Sequence, residues 1–158
     1  HEDSLVVKGN VKTVYPVVRH ADFSTARLVK FLYTLRRLPG FPLSIDGMLG
    51  FGFVLLNETP PTGFAMGLTG QFWKLDGGLI RVEPAEFVEF QRDGFSQVVW
   101  VFELESTAAN RVRITTRTSV RSCGEAARRK MRNYWYAIYP FSRYIRRAVL
   151  RSIEESLN

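Results

Sequence analysis

Apolar and polar positions recur at a helical period near both ends of the chain and alternate as in strands through its middle. A short first strand is read from "SLVVKG" (Ser4–Gly9), followed by a helical turn over Val11–Val18 in spite of Pro16. From Ser24 to Arg37 the residues Leu28, Phe31, Leu32 and Leu35 recur at helical spacing. Asp22 or Ser24 can cap that helix, and "LPG" (Leu38–Gly40) ends it. The middle then reads as strands: "FGFVLLNE", "GFAMGLTGQFW", "LIRVE", "AEFVEFQ", "SQVVWVFELE" and "NRVRITTRTSV". The breakers between them ("TPPTG", "LDGG", "EPA", "RDGF", "STAAN") are too short for parallel crossovers. The pattern therefore predicts an antiparallel meander which, with the first strand, makes a sheet of about seven strands.

Alternation assigns the faces of that sheet. In "SQVVWVFELE" the inner positions are Val98, Trp100, Phe102 and Leu104; in "RVRITTRTSV" they are Val112, Ile114, Thr116, Thr118 and Val120. Arg113, Arg117 and Arg121 fall on the other, wet face. The chain closes with a helix predicted over Cys123–Leu157, opened by a capping box between Ser122 and Glu125. Ala127, Met131, Tyr134, Ile138, Phe141, Ile145 and Ala148 form its apolar stripe, widened by Trp135, Val149 and Ile153. Straight, this helix would run roughly 50 Å. Pro140 lacks an N–H and crowds the carbonyl of Tyr136, so a bend near Tyr136–Pro140 is expected, letting the helix follow a curved sheet.

Composition narrows the picture. A chain of 158 residues without a dividing linker is read as one domain, 1–158. No apolar run approaches the ~20 residues that span a bilayer, and "HEDSLVVKGN" lacks the basic and apolar regions of a signal peptide. With the lone Cys123, these features predict a cytoplasmic protein. Two histidines and one cysteine provide no ligand set of the usual spacing, so no metal is expected, and "GMLGFGF" and "GLTGQ" lack the context of a phosphate loop. The net charge of +7 is concentrated in the terminal helix, where Arg128, Arg129, Lys130, Arg132, Arg143, Arg146, Arg147 and Arg151 lie. Such a face can attract anionic lipid or nucleic acid; more often it is simply solvated. Peripheral membrane contact stays open on this count.

The stretches "LRRLP" (Leu35–Pro39), "GFVLLNE" (Gly52–Glu58), "GLTGQFW" (Gly67–Trp73), "FVEF" (Phe87–Phe90) and "YWYAIYPFSRYIRRAVLRSI" (Tyr134–Ile153) run along nearly the whole chain. In them the sequence resembles a bacterial, largely uncharacterised branch of the START-like superfamily, with its Tyr-Trp, Pro-x-Ser and Ile-Arg-Arg pattern in the last helix. At Thr116–Val120 relatives tend to carry Thr-Glu-Thr-Arg-Val, whereas this chain has Arg117 and Ser119 at outward positions. The resemblance implies an α+β helix-grip fold, in which a curved antiparallel sheet wraps around a long kinked C-terminal helix after two short N-terminal helices. The superfamily hosts lipid carriers, receptors, cyclases and hydrolases, so fold alone does not choose among them.

A cavity at the seam of sheet and helix follows from this resemblance. Its expected lining is Phe53, Leu55, Met66, Leu68, Phe72, Trp100, Phe102, Ile114 and Thr116 from the sheet. From the helix come Met131, Tyr134, Trp135, Ile138 and Phe141. A mostly apolar wall with a few hydroxyls and one indole N–H suits a hydrophobic small molecule or lipid with one or two polar groups, without a cofactor. That these side chains fill a solid core is the alternative. "PGFPLSIDGMLGFG" (Pro39–Gly52), with Phe41 and Met48 exposed, reads as an entrance loop. An enzymatic reading needs a carboxylate in the pocket. Glu83, Glu86 and Glu89 cluster around the turn at Pro84, Glu103 and Glu105 flank Leu104, and only Glu58, near the expected rim, has a family position that fits a candidate acid–base group.

Overall fold

The computed structural model describes residues 1–24 and 42–158, so the helix expected over Ser24–Arg37 lies outside the described residues, apart from Ser24. The elements in chain order are β1 (Glu2–Lys8), α1 (Val11–Arg19), α2 (Ile45–Phe51), β2 (Val54–Thr59), β3 (Gly63–Gly70), α3 (Pro84–Phe87), β4 (Ser96–Ala108), β5 (Arg111–Ser122) and α4 (Glu125–Leu157). The fold is α+β. Among the described residues the strands form one five-stranded antiparallel sheet, in the order β1-β5-β4-β3-β2.

The sheet is therefore smaller than the seven strands expected. "LIRVE" contributes only an isolated bridge between Ile80 and Thr69, and "AEFVEFQ" opens as the short helix α3. Pro84 explains the difference: its fixed φ suits the first turn of a helix, and without an N–H it cannot extend a ladder. The alternation in these segments is real but has another use. Val82 and Phe87 are buried with Val54 against Leu56, Ile80, Phe90 and Val99, covering the outer face of the sheet. Gly67 on β3 makes room for this cover, since a Cβ there would stand 2.5 Å from the Phe87 ring. Arg121, expected to be merely wet, binds the cover in place by donating to the carbonyls of Phe87, Val88 and Phe90 and to Oε1 of Gln97.

On the inner face β4 and β5 alternate as read. Trp100, Phe102 and Leu104 are buried, as are Val112, Ile114, Thr116 and Thr118; Val120 is exposed. Phe64 and Phe102 stack at 4.9 Å and Trp100 tilts against Phe102 at 5.1 Å, an aromatic row across the two strands β3 and β4. Val14, Tyr15 and Val18 of α1 join the same core, as do Val149, Leu150 and Ile153 of α4.

α4 runs unbroken for 33 residues with Pro140 inside it. It starts on Gly124, whose φ of 82° favours glycine, without a side-chain cap. The expected capping box is absent because Ser122 is still in β5, with its Oγ 2.7 Å from that of Ser96. Within "PGFPLSIDGMLGFG" the residues Ile45–Phe51 form a helix rather than open loop: Ser44 caps α2 by accepting from the N–H of Gly47, and Met48 turns inward. Phe41 lies outside the described residues.

Candidate functional site

Strand register determines where the sheet and α4 touch and where they part. Phe64, Phe102 and Thr116 stand in line across β3, β4 and β5, with Leu104 opposite Ile114 one step further on. Here the side chains are buried and none of them lines the cavity further along this face. Toward the other end of the same face stand Leu68 opposite Val98 and Trp100 opposite Thr118. Above this second group the core opens into a cavity of about 260 Å³.

α4 forms the roof. Ala127 and Met131 anchor its first part and Arg146, Val149, Leu150 and Ile153 its last, all buried. Between these anchors Tyr134, Trp135, Ile138, Ser142 and Ile145 are only half-buried, while Phe141 is exposed. The helix thus bridges the hollow. Met48 of α2, with Phe53 and Phe72 beside β2 and β3, closes the sides.

Of the residues expected on the wall, Phe53, Leu68, Phe72, Trp100, Met131, Tyr134, Trp135, Ile138 and Phe141 line this cavity. Leu55, Met66, Phe102, Ile114 and Thr116 are not among its lining residues. Met66, Phe102, Ile114 and Thr116 are buried in the core and Leu55 packs on it, because alternation identifies a face and does not say how far along it the helix stays in contact. Met48, Val98, Thr118, Ser142, Ile145 and Arg146 line the cavity unforeseen. Val98, Thr118 and Ile145 already had inner-face assignments, so position along the strand or helix was the missing signal. Ser142 and Arg146, four residues apart, share a helical face, but their polarity reads as solvent exposure.

The polar groups of the wall are mostly engaged within the protein. The indole N–H of Trp100 donates to Oγ1 of Thr116 at 2.6 Å, and that of Trp135 to Nε2 of His1 at 3.0 Å. Neither is the free indole handle expected for a ligand. Arg146, 2% exposed, is the one charged residue among the described wall residues. Its Nε donates to Asp3 Oδ2 at 2.8 Å and its Nη1 to Ser142 Oγ at 3.0 Å. A buried guanidinium requires such partners, because desolvation without them costs several kcal/mol.

Glu58 belongs to a different site. Its Oε1 accepts from the Tyr15 hydroxyl and from Arg19 Nε, each at 2.7 Å. Arg19 also donates to Asp46 Oδ1 at 3.0 Å, and His20 Nδ1 lies 2.8 Å from Asp46 Oδ2. Glu58 does not line the cavity. The hydrogen bonds from Tyr15 and then Arg19 hold its carboxyl below the usual range, while burial, followed by the bond to Glu58, pushes Tyr15 up to about 12. A carboxylate so stabilised in its charged form is a poor proton donor or acceptor near neutrality. The cluster instead ties α1 to α2 and β2.

Cys123 is half-buried, with Sγ 3.6 Å from the carbonyl oxygen of Phe90. Among the described residues no group of His, Cys, Asp and Glu is arranged to hold a metal ion, and no helix is long and apolar enough to cross a membrane. No family model, characterised protein or solved structure matches the chain.

Proposed function

We propose that the protein binds a hydrophobic small molecule or lipid in the cavity between the sheet and α4. The observation that carries this reading is the cavity itself: about 260 Å³ of space under the middle of α4, walled by apolar side chains and partly open to the outside. Interiors normally pack to crystal-like density, and an empty apolar hollow forfeits dispersion contacts along its whole lining. A volume close to the roughly 300–1,000 Å³ of small-molecule pockets, with an aromatic and aliphatic wall, fits a bound guest better than a packing defect. We further propose that the arrangement is a helix grip of the START-like kind, with α4 bent around the sheet near Pro140, and that the protein works in the cytoplasm. The motif resemblance in α4 supports the first point.

An enzymatic role on such a ligand is the weaker reading. It needs an acid–base group on the wall, and Glu58 faces Tyr15 and Arg19 instead. A membrane-facing role has one supporting feature. Tyr136, Phe141 and Tyr144 are exposed along a helix rich in arginine, and Phe141 also borders the cavity. Such a mixed surface suits loading or unloading of a guest at an anionic bilayer. Co-sedimentation with acidic vesicles that falls steeply with salt is its expected signature; absence of binding at low salt rejects it.

The main reading is tested by equilibrium titration of the purified protein with a panel of fatty acids, sterols and fused aromatic compounds, followed by tryptophan fluorescence. Trp100 and Trp135 both border the cavity, so a guest should change their emission saturably. A panel-wide lack of response in the wild type, matched by unchanged thermal stability, contradicts it.

A further inference from the structure

We propose that the guest is an amphipathic acid whose carboxylate sits on Arg146 while its apolar body lies against Trp100, Phe53 and Ile138. The inference rests on the cavity being a ligand site and adds the chemistry of one end of the ligand.

Three observations converge on it. First, Arg146 is a cation on an otherwise uncharged wall among the described residues, and it is buried to 2% exposure. Second, its charge is incompletely balanced. Asp3, its carboxylate partner through Nε, also faces Arg147 Nε at 3.5 Å, so one anion serves two guanidiniums. The three groups together carry one net positive charge, partly screened because Arg147 is half-exposed, and an added anion beside Arg146 is favoured. Third, donors are left over. The Arg146 bonds use Nε and Nη1, and Nη2 makes no hydrogen bond among the described residues. Ser142 Oγ accepts from Arg146, which leaves its own proton to give. Both residues border the cavity, as does the hydroxyl-bearing Thr118 of β5. A planar carboxylate takes a guanidinium N–H and a hydroxyl proton together, whereas an alcohol or ester supplies weaker, uncharged acceptors.

The test compares decanoic acid, decanol and methyl decanoate, each below its aggregation limit, by titration at neutral pH. Wild-type protein is expected to bind the acid about ten- to a hundredfold more tightly than the methyl ester. In the double variant Asp3→Leu/Arg146→Met, which removes both buried charges together, the preference should fall to within about twofold. Ser142→Ala, which leaves the ion pair intact, should weaken the acid several-fold and the ester less, so the test stands even if the double variant does not fold. Equal affinity for acid and ester in the wild type overturns the carboxylate assignment and leaves the apolar cavity reading in place. A full acid preference in the folded double variant, or equal losses for acid and ester in Ser142→Ala, overturns the role of this corner. No binding of any of the three removes both readings for ligands of this size.

Discussion

Phe102 and Phe141 are both large apolar side chains on the sheet–helix seam, yet the structure gives them opposite duties. Phe102 is fully buried, stacked on Phe64 and absent from the cavity wall, so Phe102→Ala should cost about 3–5 kcal/mol in urea unfolding. Phe141 borders the cavity and is 45% exposed, so Phe141→Ala should cost less than about 1 kcal/mol while weakening ligand binding. Glu58 supplies a pH signature. Its pKa is lowered in the folded protein, so its contribution is fully present above the ordinary glutamate value of about 4.3 and is lost as pH falls through the lower folded value. Tyr15 has the opposite sign: raised to about 12, it stabilises the fold below its ordinary value near 10 and that contribution disappears between the two. Glu58→Gln should flatten the melting temperature against pH on the acid side and only in part on the alkaline side, where burial still raises Tyr15, while leaving ligand affinity at neutral pH unchanged. A loss of binding in that variant would return Glu58 to the site. At this scale the sequence spoke clearly about most of the inner face of β4 and β5, though Val120 is exposed and Arg146 buried against expectation. It could not say which inside positions face a void, because a side chain packed on Phe64 and one facing empty space look alike in an alternating string.

At the scale of elements, the segment 80–90 shows most clearly how the same pattern can serve a different structure. Its apolar positions suggested two further strands, yet they lie as a cover on the outer face of the sheet, pinned by Arg121. The strand ladder needs N–H donors on both edges, and Pro84 interrupts it. The cover also explains Gly67. Gly67→Ala would push a methyl group into Phe87 and Leu56, and should destabilise by about 1–3 kcal/mol. Phe87→Leu in the same chain should recover part of this loss, a coupling that a double-mutant cycle by chemical denaturation measures. Additive effects would mean that the cover does not press on β3. The helix α4 was legible from its 3.6-residue stripe, but its start was not. Ser122 and Glu125 have capping-box spacing, and only the length of β5 decides that Ser122 stays in the sheet.

For the whole molecule, the central feature is that α4 is fixed at both ends and spans a hollow between them. The packed part of the core supplies the stability that an open cavity withholds, so the proposed binding and the folding would be divided along the length of one sheet face. Ser142 and Arg146 complete the division, placing polar chemistry where the helix returns to the core. Methionine methyl groups report on this arrangement directly. The chain has three methionines; Met48 and Met131 border the cavity, while Met66 is fully buried outside its wall. In a carbon-13 methyl NMR titration of the wild type with decanoic acid, the Met48 and Met131 signals should shift together and saturate while Met66 stays nearly still. If Met48 and Met131 remain unmoved at saturating acid, or move no more than Met66, the space beneath α4 is not where a guest resides.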